Sequence, residues 1–435
     1  MPPEPAGATA APARGLLSNH DFVRVWAGET VSLFGSQITT LALPLVAIVT
    51  LQASAFQVGL LNVAHYAPFV ALSLFAGVWF DRHRRRTTLI VSNLGRSLLL
   101  ALIPVAAVLG VLDLGLLYTV AVLVGMLTVF FDIGVLSYVP NLVDRAHLAE
   151  ANSKISASYS VAGIAGPGLA GLLIGVLSAP VVLALDALTY LFSAGALATV
   201  RRPEPEPAAP AERTSVLASI REGLRTVAGD RVLRHLATQS ATFNLFENVV
   251  VTVFLLYAVR RLGISPFWLG IVFSAGSVGA LLGALVANQA RLRLGLGRTL
   301  RLATLLACLS PLLFLLPRGA GPVSLVVLAG ALGVHMFHLA VFNVNALTLR
   351  QSVTPNHLLG RMNASYRLLL FGTMPLGALL GGGLAEVFGL STALAVGVAG
   401  LATPIAWLGF SPVFRLRHIP DRPTAGSPEM ETAPC

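Results

Sequence analysis

The sequence is poor in charged residues, in cysteine and above all in lysine. Of its 435 residues only 11% are Asp, Glu, Lys or Arg, whereas a soluble globular chain carries about 25%. The only lysine is Lys154, which stands outside any G-x-x-x-x-G-K pattern, so the chain has no Walker A loop for ATP hydrolysis. The two cysteines, Cys308 and Cys435, form no C-x-x-C pair and give no basis for a disulfide framework, a zinc knuckle or haem attachment.

Long apolar runs replace the missing charge. Apolar residues make up 55% of the chain, and runs of about 20 residues recur from one end to the other. This pattern excludes a soluble enzyme and predicts an all-α integral membrane protein with 12 transmembrane helices in two six-helix bundles. The predicted spans, numbered 1 to 12 in chain order, cover residues 24–50, 57–80, 88–110, 116–138, 156–178, 180–200, 237–259, 266–289, 299–317, 322–348, 365–389 and 391–411.

Shifts in composition divide the chain into five parts. Residues 1–17 and 412–435 are polar and rich in proline, which predicts disordered cytoplasmic tails. Residues 18–200 and 237–411 carry six spans each, which predicts an N-terminal and a C-terminal six-helix bundle. Residues 201–236 begin with a proline-rich segment and continue with apolar residues at helical spacing. They predict a cytoplasmic linker with an amphipathic helix along the membrane surface.

The positive charges fall on one side of the predicted spans. With the N-terminus in the cytoplasm, only Arg260, Arg261 and Arg318 lie in loops on the far side, and 25 of the 29 cations lie in cytoplasmic loops, tails or helix ends. The bias predicts a multi-pass protein with both termini in the cytoplasm. The excess of arginine over lysine suggests a GC-rich bacterial genome, hence a bacterial plasma membrane. The net charge of +10 then follows from topology, and we expect no nucleic-acid partner.

Similar residues recur about 210 positions apart in the two halves of the chain. His147 and Asn152 close the loop after span 4, and His357 and Asn363 close the loop after span 10. The span that follows contains a proline and a nearby glycine in both halves. A repeat of this length predicts an internal duplication of a six-helix unit, the architecture of a large class of secondary transporters.

A charged motif lies between spans 2 and 3, in the segment GVWFDRHRRRTTL. The segment resembles the G-x-x-x-D-R-x-G-R-R-x-x-L signature of the major facilitator superfamily, with arginine where the second glycine is usual. The resemblance implies a conformational lock, in which the aspartate binds nearby arginines and a helix N-terminus of the other half. The alternative is a positively charged loop with an incidental aspartate. The lock residues are Gly77, Asp81, Arg82, Arg85 and Arg86.

Span 5 contains a run of small residues that resembles the antiporter motif of the same superfamily, which is typical of exporters. The run consists of Gly163, Gly166, Pro167, Gly168 and Gly171. Glycines allow two helices to approach closely, and proline removes one backbone donor. The alternative interpretation is ordinary packing of small residues between helices.

Four further segments resemble the drug-exporter branch that includes macrolide efflux proteins and the enterobactin exporter. They are FFDIGVLSYVPNLV, LAEANS, VLALDALTYLFSA and RQSVTPNHLLGRMNAS, and the resemblance covers about residues 18–411. The chain departs from the branch at Asn93, where many relatives carry aspartate. In the second half, Ala287 or Asn288 occupies the place of the signature aspartate, so the lock is expected to be asymmetric.

Few ionisable residues lie inside the predicted spans. Each costs about 2.5–3.5 kcal/mol on insertion scales and is therefore a candidate for function. Those considered for proton coupling or for lining the cavity are Glu29, Arg96, Asp132, Glu247, His335 and His338. Two others, Asp186 and Glu386, lie nearer the outer face and are interpreted as interfacial or capping residues.

Depth and helix number suggest how these residues are grouped. Glu247 and His335 lie near the midplane of spans 7 and 10, which line the central cavity in the superfamily that the chain resembles. They and His338 are expected to face one space, where Glu247 would bind and release a proton; the alternatives are a fixed hydrogen-bonding role and helix packing. Arg96 and Asp132 lie at similar depth on adjacent spans and are expected to form a buried ion pair, for which Glu29 would compete.

The leading function is a secondary active transporter that exports lipophilic small molecules by alternating access, in exchange for protons. The alternatives are a dedicated exporter of one natural product, such as an antibiotic or siderophore, and an importer of the same fold. A membrane enzyme or a light receptor is disfavoured, because the chain has no H-E-x-x-H or G-x-S-x-G motif and no lysine within a span. We expect no cofactor, no metal and a monomer in the lipid bilayer.

Overall fold

The computed structural model describes residues 16–80, 83–144, 147–204, 216–355, 358–411, 413 and 416. These residues form helices joined by short turns, and none of them belongs to a β-strand. The helices are α1 (His20–Leu45), α2 (Ala55–Phe80), α3 (Arg85–Val108), α4 (Leu114–Leu142), α5 (Leu148–Val176), α6 (Ala179–Ala198), α7 (Val216–Gly229), α8 (Arg231–Leu256), α9 (Pro266–Leu294), α10 (Leu296–Leu309), α11 (Pro322–Val353), α12 (Leu359–Phe388), α13 (Leu390–Gly400) and α14 (Thr403–Phe410).

Twelve described segments are long and apolar enough to cross a membrane, which confirms the predicted number of spans. Helices α1 to α6 form spans 1 to 6, and α8 to α12 form spans 7 to 11. The last span, Leu390–Trp407, contains α13 and most of α14. Several helices are longer than predicted. The largest difference is at α5, which begins eight residues earlier because Glu150 and Lys154, 3.7 Å apart, continue the helix as an i,i+4 pair.

The internal duplication is visible in the backbone. The first residues of α1, α2, α3, α5 and α6 each precede those of α8, α9, α10, α12 and α13 by 211 positions. Helices α1 and α8 both end in a π-helical turn, Val46–Thr50 and Tyr257–Arg261. Each turn is followed by a residue with positive φ, 51° at Gln52 and 70° at Gly263. A repeated π-turn at the same offset supports two copies of one six-helix unit.

The six helices of each half pack against one another around buried apolar residues. In the first half α1 packs against α5 and α6, and α4 packs against α2 and α3. In the second half α8 packs against α12 and α13, and α11 packs against α9 and α10. We call the end of the bundle from which α6 continues into residues 201–204 the linker end, and the end that holds residues 51–54 and 262–265 the turn end.

The two halves meet through α2 with α12 and through α5 with α9. Both pairs cross closely at glycines near the turn end. A Cβ atom at Gly59 would lie 2.6 Å from the Ala378 carbonyl oxygen, and one at Gly171 would lie 2.8 Å from the Gly270 Cα. Arg260 also reaches across, since its guanidinium donates to the Ala53 carbonyl at 2.7 Å. These contacts hold the halves together at the turn end.

The segments outside the bundles differ in part from the prediction. The predicted amphipathic helix is present as α7 and packs against α12 and α8. Leu16, which was assigned to the disordered tail, begins a short 3-10 turn and is only 3% exposed. Val413 is fully buried, and Leu416 accepts a hydrogen bond from the Gly297 backbone. Apolar side chains thus fix these two tail segments, whereas residues 1–15 and 417–435 lie outside the described part of the chain.

Candidate functional site

A carboxyl group and an imidazole meet inside the second half. Glu247 on α8 and His335 on α11 approach to 3.1 Å between Oε1 and Nε2. The His335 side chain is 1% exposed and that of Glu247 is 14% exposed. Nδ1 of His335 lies 2.8 Å from the Ala307 carbonyl oxygen of α10. The Phe243 ring is stacked with the imidazole, with 6.1 Å between the two ring centres. Three helices therefore fix the ring and leave one edge for the carboxyl group.

The contacts of His335 determine how many hydrogens the pair holds. A carbonyl oxygen only accepts, so the hydrogen bond to Ala307 requires a hydrogen on Nδ1. The short contact between Nε2 and Glu247 then needs one further hydrogen, carried either by the imidazole or by the carboxyl group. A hydrogen bond between the two side chains is compatible with either arrangement.

Glu247 also faces an open cavity within the second half. The cavity has a volume of about 130 Å³ and is lined by α8, α10, α11 and α12. The second carboxyl oxygen of Glu247, Oε2, is buried and has no hydrogen-bond partner among the described residues. Phe243, Phe342 and Leu339 supply apolar walls, and Asn244 supplies an amide. The cavity is thus lined by a carboxyl-bearing side chain next to aromatic surface.

His338 does not join this pair. Its Nδ1 lies 2.8 Å from the Val334 carbonyl oxygen one turn earlier on α11, and its ring contacts that of Phe337. The side chain is absent from the lining of the cavity among the described residues. An i,i+3 spacing on one helix places two side chains on neighbouring faces, and only His335 points towards α8.

The first half contains a buried arginine held between two aromatic rings. The guanidinium carbon of Arg96 on α3 lies 4.2 Å from the centre of the Phe131 ring and 4.1 Å from that of Tyr190. Arg96 also donates to the Asn93 side-chain oxygen, and Asn93 donates to Ser193 at 2.9 Å. Asn93 is able to do both because its amide carries a donor and an acceptor, which the aspartate of relatives would not.

The predicted ion pair between Arg96 and Asp132 is not formed as a direct contact. Within the described residues no carboxylate lies within 4.0 Å of the Arg96 guanidinium, which packs on the two rings instead. Asp132, Glu29 and Asp186 interact with Arg96 electrostatically over longer distances. Glu29 is buried, and its Oε1 accepts from the Tyr159 hydroxyl at 3.3 Å while Oε2 has no described partner. Arg96 therefore interacts electrostatically with all three of these carboxyl groups.

Asp186 and Glu386 behave differently, although both were interpreted as interfacial or capping residues. Asp186 is fully buried, and its carboxyl group accepts from Thr39 and, at 2.9 Å, from Thr189. The interpretation as an interfacial or capping residue was wrong for Asp186, because Gly35 of α1 leaves room for its carboxyl group between α1 and α6. Glu386 accepts from the Phe56 backbone N–H at 3.4 Å and so caps the first turn of α2.

Only part of the expected conformational lock lies in the described residues. Asp81 and Arg82 lie outside them, and Gly77 lies within α2. The Arg86 guanidinium donates to the Leu197 carbonyl at 3.0 Å and to the Ala198 carbonyl at 2.7 Å. These two carbonyls end α6 of the same half. The helix N-terminus of the other half was the implied partner of Asp81, which lies outside the described residues.

A carboxylate of the linker binds the first turn of α3, and the charged motif did not predict this contact. The backbone N–H groups of Arg85 and Arg86 donate to the two Glu204 carboxyl oxygens at 2.7 and 3.1 Å. A carboxylate at this position satisfies unpaired donors of the first turn of α3. The first residues of the linker are thus bound to the helix that follows the charged motif.

The glycine run of α5 forms contacts at successive turns, not on one face alone. Gly166 packs against the Gln37 side chain of α1, whereas Gly168 and Gly171 face Ser274 and Gly270 of α9 in the other half. The Pro167 carbonyl oxygen lies in the same crossing, 2.5 Å from where a Cβ atom of Gly270 would be. Gly163 has open space where a Cβ atom would be. Close packing therefore requires Gly171, which meets backbone atoms, and Gly166, which meets the Gln37 Cβ, whereas Gly168 meets only a serine hydroxyl group.

One charged residue of the cavity was not singled out from the sequence. Arg350, near the linker end of α11, lines the same cavity as Glu247, and its guanidinium carbon lies 3.7 Å from the centre of the Tyr366 ring. Tyr366 donates to the Ser240 hydroxyl at 2.8 Å. An arginine at the end of a span counts as an ordinary cytoplasmic cation, so only side-chain direction distinguishes it.

The chain matches one known protein family over most of its length. Residues 10–431 match the family described as transmembrane secretion effector, which is of the major facilitator type. The chain belongs to this family of major facilitator transporters. It is 31% identical over 400 residues to the multidrug efflux pump Tap of Mycolicibacterium fortuitum, covering 88% of this chain and 93% of Tap. It is 21% identical over 265 residues to macrolide efflux protein A of Streptococcus pyogenes, covering 61% of this chain and 65% of that protein.

Solved structures confirm the major facilitator fold. A single-residue mutant of the nucleoside transporter NupG superposes with a TM-score of 0.73 at 14% identity, covering 90% of this chain and 99% of NupG. A bacterial homologue of the iron transporter ferroportin in its inward-facing state superposes with a TM-score of 0.71 at 17% identity, covering 91% of this chain and 99% of the homologue. A bacterial ferroportin homologue in its outward-facing state superposes with a TM-score of 0.56 at 16% identity, covering 89% of this chain and 98% of the homologue. This major facilitator chain is a transporter, and the membrane-enzyme and light-receptor alternatives are excluded.

Proposed function

We propose that this major facilitator transporter exports lipophilic small molecules from a bacterial cell in exchange for protons. The observation that carries the proposal is the 3.1 Å contact between Glu247 and His335, beside a cavity that Glu247 lines. Glu247 is the proton-binding group, and His335 positions the carboxyl group and shares its proton. Glu29, Arg96 and Asp132 form a second charged cluster in the other half, which we assign to conformational coupling.

Alternating access is supported by where the two halves touch. The close glycine crossings and the Arg260 contact lie at the turn end, and the chain resembles the inward-facing ferroportin homologue more closely than the outward-facing one. Two copies of a six-helix unit that rock about a site near the membrane midplane would open each end in turn. Lock residues Asp81, Arg82, Arg85 and Arg86, with Gly77, would stabilise one of the two states.

Orientation follows from the distribution of positive charge. Most cations lie at the linker end and few at the turn end. The linker end with both chain termini is therefore proposed to face the cytoplasm, so the conformation described here is open to the cytoplasm. We further propose that the protein acts as a monomer in the bilayer and needs no cofactor.

Outward transport of drug-like molecules is supported by similarity to Tap, a multidrug efflux pump. The small-residue run from Gly163 to Gly171 also resembles an exporter motif. A proton that enters at −100 mV supplies about 2.3 kcal/mol, enough for a concentration ratio of tens. Dedicated export of one natural product, or import, remains the alternative that the experiment below separates.

The test is efflux of lipophilic cationic dyes from cells that express the protein, with and without an uncoupler. The proposal predicts uncoupler-sensitive efflux by the wild type and its loss in Glu247→Gln. Glu386→Gln is the matched control, because this intramembrane carboxylate contacts only the Phe56 backbone among the described residues. Uptake instead of efflux would favour an importer, and transport insensitive to the uncoupler would contradict proton exchange.

A further inference from the structure

The cavity beside Glu247 is also lined by a positively charged side chain. Arg350 lines it from α11 and Glu247 lines it from α8. The Nε atom of Arg350 is buried and has no hydrogen-bond partner among the described residues, as is true of Glu247 Oε2. Within the described part of the chain no carboxylate lies within 4.0 Å of the Arg350 guanidinium. The cavity therefore presents a cationic and an anionic group, each with unsatisfied hydrogen-bonding capacity.

The position of Arg350 is not explained by membrane topology alone. Cations at helix ends usually extend into the headgroup region, whereas Arg350 folds over the Tyr366 ring at 3.7 Å. Its counterpart in the first half, 211 positions earlier, is the buried apolar residue Val139, 4% exposed. The counterpart of Glu247 is Ser36 by the same offset. The first half thus has no charged residue at either position, and both charges belong to the second half alone.

A chain of contacts places the two charges at opposite ends of the cavity. Arg350 lies on Tyr366, and the Tyr366 hydroxyl donates to Ser240 of α8. Ser240 precedes Glu247 by seven residues, so the two positions are about 10 Å apart along the helix axis. Phe243, between them on α8, lines the same cavity with Phe342. Aromatic surface thus separates a carboxyl end from a cationic end.

We propose that Arg350 forms a subsite for an anionic group of the transported molecule, and that the preferred substrates are amphiphiles that carry both a basic amine and an acidic group. This inference rests on the proposed function, since it assigns the charge type of the exported molecule. The amine is bound at the Glu247 end, the acidic group accepts from the Arg350 guanidinium, and the apolar part packs between Phe243 and Phe342. Tyr366 is a positioning residue that holds the guanidinium in the cavity.

The experiment compares two dyes that differ by one methyl group. Rhodamine 110 carries a free carboxylate and an amine-bearing cationic ring system, and rhodamine 123 is its methyl ester. Binding of each dye to the purified full-length protein is followed by fluorescence anisotropy for the wild type, Arg350→Gln, Arg350→Lys and the exposed control Arg298→Gln. We expect rhodamine 110 to bind more tightly than rhodamine 123 to the wild type. Arg350→Gln should weaken rhodamine 110 by about tenfold or more, as for loss of one charge-assisted hydrogen bond.

The remaining outcomes separate the inference from the function on which it rests. Arg350→Lys keeps the charge and should restore part of the preference for rhodamine 110, whereas Arg298→Gln should leave both dyes unchanged. Equal loss of both dyes in Arg350→Gln, or equal binding of both dyes to the wild type, would overturn the anionic subsite and leave the exporter proposal standing. Failure of both dyes to bind to folded wild-type protein would contradict both.

Discussion

Nε2 of His335 and Oε1 of Glu247 lie 3.1 Å apart inside the second half of the molecule. The other ring nitrogen is directed at the Ala307 carbonyl oxygen, so the proposed function assigns exchange to the hydrogen between Nε2 and Oε1. The proposed function thereby assigns proton exchange and substrate binding to the same cavity. A molecule that bears a positive charge and approaches Glu247 Oε2 would favour departure of that hydrogen, which is the elementary step of exchange.

Substitution of Glu247 is the first test of this account. Glu247→Gln keeps the shape and a hydrogen-bonding group but removes the ability to bind and release a proton. Uncoupler-sensitive dye efflux should fall at least about tenfold, while expression and thermal stability stay close to those of the wild type. Glu247→Asp retains the acid and should recover part of the efflux. Unchanged efflux in Glu247→Gln would move proton exchange to another group, first of all Asp132.

The buried arginine of the first half should matter for stability. Arg96→Met removes the cation that serves Glu29, Asp132 and Asp186, and loss of one partner of a buried charge cluster costs about 3–5 kcal/mol. We expect a clearly lower unfolding temperature of the purified protein, measured by differential scanning fluorimetry. The exposed Arg298→Gln should unfold like the wild type. A second change, Asp132→Asn, should recover part of the loss in Arg96→Met; no recovery would indicate that aromatic packing, not charge, is what Arg96 supplies.

The crossing of α5 and α9 should control the equilibrium between open states. A side chain at Gly171 would lie 2.6 Å from the Pro266 carbonyl oxygen, so Gly171→Leu forces the two halves apart at the turn end. Gly163→Ala is the control from the same run, since nothing lies within 4 Å of its Cβ position. Spin labels at Gln52 and Arg318, both at the turn end and in different halves, should report longer distances in Gly171→Leu only. Equal distances in both variants would contradict a gate at this crossing.

Arg260 should act as a latch between the two π-turns. It belongs to the second π-turn, and its guanidinium donates to the Ile48 carbonyl of the first at 3.2 Å and to the Ala53 carbonyl just beyond at 2.7 Å. Arg260→Gln removes a charge-assisted contact and should increase the population that is open at the turn end, read from the same pair of spin labels. Arg261→Gln, a neighbouring exposed arginine, is the control. An unchanged distance distribution in Arg260→Gln would exclude the latch.

The sequence predicted the architecture better than the side-chain partners. Twelve spans, the duplication and the family follow from apolar runs and spaced motifs, because these depend on length and period alone. The pairing of Glu247 with His335 was also accessible, since depth and helix number placed both near the midplane. The contacts of Arg96 could not be predicted in this way. Its guanidinium packs between Phe131 and Tyr190, and the spacing of residues along the sequence does not indicate such packing. Arg350 was missed for a similar reason, as side-chain direction at a helix end is set by tertiary packing.

The most direct measurement of the central claim is the release of protons on substrate binding. Purified protein in weakly buffered detergent solution is mixed with rhodamine 123, and a pH indicator follows the proton that leaves. The account predicts that the wild type and Glu386→Gln release protons in proportion to bound dye, and that Glu247→Gln binds dye without release. Equal release by the wild type and by Glu247→Gln would contradict the assignment of proton exchange to the pair of Glu247 and His335.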